Sequence, residues 1–138
     1  MPLTIGRLYF ENAVGQLAEH PNGYALVQFK PGKRVFTDLQ SFLTHLGHLL
    51  RRRGWYKILV NQRHMAPFTE EERTFVHQHW LAESQANQPG MVAAVLLPED
   101  VFARLSMNLV MNDAREGALS YHVFMDEIKA AAWLRQIA

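Results

Sequence analysis

Cysteine is absent from all 138 residues, which removes disulfides, a thiolate nucleophile and any cysteine-ligated metal. Charge of one sign is also lacking. Fourteen basic and 13 acidic side chains leave a formal charge of +1, so no global field recruits nucleic acid or an anionic membrane. Long apolar runs are missing too; none approaches the roughly 20 residues of a spanning helix. The opening Met-Pro-Leu-Thr-Ile-Gly-Arg has neither a basic nor a hydrophobic signal region. A cytoplasmic protein with no nucleic-acid partner and no stable membrane insertion is the expectation.

Recognisable catalytic frameworks are equally scarce. There is no P-loop and no Gly-x-Gly-x-x-Gly, so nucleotides lack their usual backbone cradle. None of Ser41, Ser84, Ser106 and Ser120 lies in a Gly-x-Ser-x-Gly elbow. Acidic residues are scattered or sit where helices should begin, and there they act as caps. Of seven histidines, His45 and His48 have ligand spacing on a helix, but no third ligand accompanies them. His77 and His79 would share a face only on a strand. No metal, no cofactor and no enzyme activity are expected.

What the chain does have is an alternation. Apolar residues make up 49 % and charged residues 20 %, an ordinary globular balance for one domain spanning residues 1–138. Leu8-Phe10, Val14-Glu19 and Tyr24-Phe29 are rich in β-formers and are separated by turn residues at Glu11-Asn12 and Pro21-Asn22-Gly23. A helix is expected from Thr37 to Arg53, with Thr37 and Gln40 at capping-box spacing and Gly54 as the left-handed stop. Its leucines recur on one face. The cluster Arg51-Arg52-Arg53 falls in its last turn, where cations complement free carbonyls.

Tyr56-Val60 and Met91-Leu97 are apolar without strict alternation, as strands covered on both faces should be. Thr69 and Glu72 repeat the capping box ahead of a second helix reaching about Gln85. Pro98 suits the first turn of a third helix reaching about Asn112. Leu119-Phe124 alternates like a peripheral strand, and Asp126 starts a last helix carrying Ala130, Trp133, Leu134 and Ile137. Strands joined through helices are parallel with right-handed crossovers. The expected fold is therefore α/β: a mixed sheet of N-terminal antiparallel strands followed by β-α repeats, with four flanking helices.

Several local patterns from Tyr56 onward carry a likeness. They are Ile58-Leu59-Val60 running into Asn61-Gln62-Arg63, Thr69-Glu70-Glu71 followed by Trp80, Ala94-Val95-Leu96-Leu97-Pro98-Glu99-Asp100-Val101-Phe102, Ser106, and Phe124-Met125-Asp126 with Ala130 and Trp133-Leu134. In this order the chain resembles the SpoIIAA-like (STAS-domain) family of small bacterial proteins. The resemblance implies a STAS-like fold that is commonly non-enzymatic. Asn61 stands where the family usually has an aspartate. Relatives that act as anti-sigma-factor antagonists carry a phosphorylatable serine at the helix start after the corresponding strand. Here the only hydroxyl in that stretch is Thr69, whose position as an N-cap already explains it.

Two places could carry function. In open α/β sheets ligands gather at the carboxyl ends of the strands, which brings forward Asn61, Arg63 and His64, with Arg63 able to hold an anion or to tie the loop to a carboxylate. The second place is the third helix. Val101, Phe102, Leu105 and Leu109 form one apolar face, expected to meet the sheet. Ala103, Met107, Val110 and Met111 form the opposite one, expected to meet a partner or another part of the chain. The leading expectation is a non-catalytic interaction or regulatory module that self-associates as a homo-oligomer. The alternative is a small apolar-ligand or lipid-binding protein, suggested by the lipid-carrier domains paired with the family label.

Overall fold

Turn chemistry organises the first half of the sheet. In the computed structural model, which describes residues 6–76, 91–106 and 120–137, β1 (Arg7–Glu11), β2 (Gly15–His20) and β3 (Tyr24–Phe29) form an antiparallel meander. Asn12 closes the first connection: its Oδ1 accepts the Val14 N–H and its Nδ2 donates to the Asp38 carbonyl. Pro21-Asn22-Gly23 makes the second, where the Gly23 N–H donates to the His20 carbonyl.

The chain then leaves the sheet as α1 (Phe36–Arg53) and returns as β4 (Lys57–Asn61). One expectation needs correction here. The helix begins at Phe36 after Val35, and no side chain caps it, so Thr37 and Gln40 form no capping box. Phe36 packs edge-on against Phe75, and ordering that ring extends the helix one residue ahead of Thr37. The far end is as expected: Gly54 is left-handed (φ 67°), and its N–H and that of Trp55 reach the Arg51 and Leu50 carbonyls.

After β4 come α2 (Glu70–Phe75), β5 (Val92–Leu96), α3 (101–106), β6 (Ser120–Phe124) and α4 (Glu127–Gln136). β3 through β6 are parallel, and the six strands lie in sequence order. The capping box at Thr69 and Glu72 is complete. Asp126 caps α4 through the Ile128 N–H. Pro98, by contrast, lies outside the first turn of α3. Asp100 caps that helix, its side chain accepting the Ala103 N–H and its carbonyl the Arg104 N–H. The expected continuations of the second helix to Gln85 and the third to Asn112 lie outside the described residues.

Strand alternation splits the core in two. Ala25, Val27, Ile58, Val60, Ala93 and Val95 face α1, whose Leu39, Phe42, Leu46, Leu49 and Leu50 fill that side together with Met65 and Phe68. Tyr24, Leu26, Leu59, Ala94 and Leu96 face the opposite way and meet Ala130 and Leu134 of α4. Lys57 fastens α4 to the sheet by donating to the Leu134 and Ile137 carbonyls, a cation at a helix C-terminus. Both β4 and β5 are thus shielded on either face.

Gly15 marks the closest backbone approach in the meander. A Cβ there would lie 2.1 Å from the Gln28 carbonyl oxygen of β3, so any side chain must push the strands apart. Gly15→Ala is expected to cost on the order of 3 kcal/mol. Urea unfolding would show it as a lower midpoint at unchanged slope; an unshifted midpoint would refute that contact.

Candidate functional site

Where β3, β4, β5 and β6 end, four loops converge, and the expected ligand residues stand among them. Asn61 is buried, and its Oδ1 accepts both the Arg63 N–H (3.1 Å) and Arg63 Nε–H (3.2 Å). The short carboxamide therefore shapes the turn by bonding its own chain two residues on. The Arg63 guanidinium then reaches Glu127 at the start of α4, 3.3 Å away. Its carbonyl accepts the Glu99 N–H, and the Gln62 N–H bonds the Leu96 carbonyl. The structure thus brings Asn61 and Arg63 together and spends their polar atoms on fixing three loops.

His64 is different. Its side chain is 59 % exposed, with Nδ1 3.6 Å from the Glu99 carboxylate.

A stronger polar centre lies one loop away, at a pair that sequence patterns do not connect. Arg34, in the β3–α1 loop, sends Nε and one terminal nitrogen to the two carboxylate oxygens of Glu72 at 3.0 and 2.8 Å. Its remaining donors reach the Ala66 and Pro67 carbonyls, and its guanidinium covers the Phe68 ring at 5.1 Å. Both side chains are sealed, 3 % and 4 % exposed. Burial works hardest against the Glu72 charge. The Arg34 hydrogen bond, the Thr69 backbone N–H and the Arg34 charge together outweigh it, and the carboxyl is held below its ordinary range.

This clamp fixes the orientation of α3. Phe68, held under Arg34, donates its N–H to the Ser106 hydroxyl, which in turn donates to the Ala103 carbonyl. The Ala103–Ser106 side of α3 is drawn inward, and Ala103 is completely buried. The expected facing of the helix is therefore reversed: Val101, Phe102 and Leu105, expected against the sheet, are exposed, and Ala103, expected at an interface, is core. Met107, Val110 and Met111, the other expected interface residues, lie outside the described residues.

Among the described residues no three potential metal ligands cluster. His45 instead stacks on Phe10 with ring centroids 3.8 Å apart, and its Nδ1 lies 2.7 Å from the Ser41 carbonyl. No protein-family model matches the chain, and no curated protein matches it.

The clamp has a measurable signature. Removing one partner strands a buried charge, so Arg34→Met is expected to cost about 3–5 kcal/mol in urea unfolding, with Arg34→Met/Glu72→Gln milder than the single change. Glu72 has a depressed folded-state pKa. Its contribution is therefore complete above the unfolded carboxyl value of 4.5 and is lost as pH falls through the lower folded value. Glu72→Gln should flatten the loss of stability below pH 4.5; an equal acid slope in both proteins would overturn the assignment. Glu11 and Glu19 are also lowered, through hydrogen bonds from Lys30 and Arg53 respectively, but these pairs are solvent-screened and contribute less.

Proposed function

We propose that this chain is a non-catalytic, STAS-like interaction module that associates with a second copy of itself. The observation that carries the reading is a set of large apolar side chains left in water at one end of the sheet. Val101, Phe102, Leu105, Met125 and Ile128 are each between 55 % and 81 % exposed. All five stand on α3 or at the β6–α4 junction, just past the paired ends of β5 and β6. Exposed apolar groups concentrated in this way favour association.

The two sheet edges support a copy of the chain as the occupant. β1 carries Arg7 and Glu11 and a register break between Leu8 and Phe10, the usual guards against edge pairing. β6 reads Ser-Tyr-His-Val-Phe, with no lysine, arginine, carboxylate or proline. Among the described residues it pairs on one side only. A two-fold axis beside it would set β6 antiparallel to its own copy and make one self-complementary contact. The polar atoms at the strand ends already bind one another, which fits a scaffold better than a catalyst.

Sedimentation velocity tests the proposal. The wild-type chain is expected to sediment as a dimer at tens of micromolar. Phe102→Asp/Leu105→Asp should sediment as a folded monomer, because both positions are exposed and their replacement leaves the core intact. Val123→Lys, on β6, should also weaken the dimer. A wild-type protein that stays monomeric at several hundred micromolar would overturn the reading.

A further inference from the structure

We propose that the groove beside α4 binds a small organic anion, an apolar body ending in a carboxylate. This site shares Ile128 with the self-association surface, but its polar lining, Tyr24, His20 and Arg135, lies outside that surface. The groove has a volume of about 380 Å³, within the range of small-ligand sites. Its floor is Leu26 and Leu59 of the sheet, and α4 supplies one wall through Ile128, Ala131 and Arg135. Those three positions follow helical spacing, so α4 lays two apolar residues along the groove and a cation at its end. The stretch from Ile128 to Arg135 is about 10 Å long at the helical rise.

The polar end is what points to an anion. Tyr24 is 2 % exposed, yet its hydroxyl has no hydrogen-bond partner among the described residues, and Tyr24 lines the groove. The ring is buried while its hydroxyl borders the groove, where a ligand acceptor can meet it. Arg135 likewise forms no ion pair with a described carboxylate, and its charge acts on both Tyr24 and His20. His20 lies flat on the Tyr24 ring at 4.3 Å. Its Nδ1 accepts the Asn22 N–H at 3.0 Å, which places the proton of the neutral ring on Nε2. The groove lining thus offers three donors, a hydroxyl, a guanidinium and an imidazole N–H. The Glu127 carboxylate also lines the groove and its charge reaches Tyr24, but it is engaged by Arg63. A carboxylate head at Tyr24 and Arg135, with its chain along Leu26, Leu59 and Ala131, satisfies every one of these groups.

Octanoate, whose extended length matches the groove, is the probe. Titration followed by heteronuclear NMR should shift the backbone signals of β3 and α4 with saturable, sub-millimolar affinity, and octanol should bind at least tenfold more weakly. Arg135→Gln, at an exposed position, and Tyr24→Phe, which keeps the ring, should each weaken octanoate about tenfold or more while leaving octanol nearly unchanged. Octanoate that fails to bind at 10 mM, or that binds both variants as well as wild type, would overturn the proposal. Repeating the titration on Phe102→Asp/Leu105→Asp keeps the two ideas apart, because groove binding should persist in the monomer.

Discussion

The Arg34–Glu72 pair is the constraint on which the arrangement of loops at the carboxyl ends of the strands depends. An ion pair sealed from solvent is costly to form, because both charges give up hydration, and it holds only when the geometry is good and every remaining donor is satisfied. Here the guanidinium meets both carboxylate oxygens and two loop carbonyls and lies over an aromatic ring. The carboxylate is also half of a helix cap. One residue from the β3–α1 loop thereby sets the path of the β4–α2 loop. Through Phe68 and Ser106 it also sets which side of α3 faces water. The exposed apolar end of the protein is a downstream consequence of a polar contact on the other side of Phe68.

Topology explains the groove beside α4. The strands lie in sequence order, so successive right-handed crossovers move steadily across the sheet and keep α1, α2 and α3 on one face. Among the described residues only α4 packs on the other. A single helix is about 10 Å wide, whereas six strands at roughly 4.8 Å spacing extend well beyond it. Lys57 pins α4 over β4 and β5, and the uncovered strip towards β3 becomes the groove that ends at Tyr24. That the Tyr24 hydroxyl has no partner among the described residues follows from where α4 docks.

Much of this fold is legible in the sequence, because its signals are local. The meander is written in turn residues, the central strands in unbroken apolar runs, and three helix ends in Gly54, Thr69 with Glu72, and Asp126. The misreadings also have local causes. Thr37 has the right spacing for a cap, but packing of Phe36 against Phe75 moved the start of α1. Pro98 has the right chemistry for a first turn, but Asp100 offered a side-chain acceptor two residues later. For the site, Asn61 and Arg63 are legible as neighbours on one loop. Arg34 reads as one more cation in Lys-Pro-Gly-Lys-Arg, and nothing in the string ties it to Glu72.

The facing of α3 shows the limit most clearly. A helical wheel places Val101, Phe102 and Leu105 on one side and Ala103 on the other, and hydrophobicity favours burying the larger set. Tertiary structure decided otherwise, because the Ser106 hydroxyl had a backbone partner at Phe68 and a small residue at 103 allowed close approach. By itself the sequence determined the order, type and pairing sense of the elements, since periodicity and turn chemistry act over a few residues. Which polar atoms meet, which helix face stays wet and where a groove opens depend on contacts between residues dozens of positions apart, and only the folded chain brings those together.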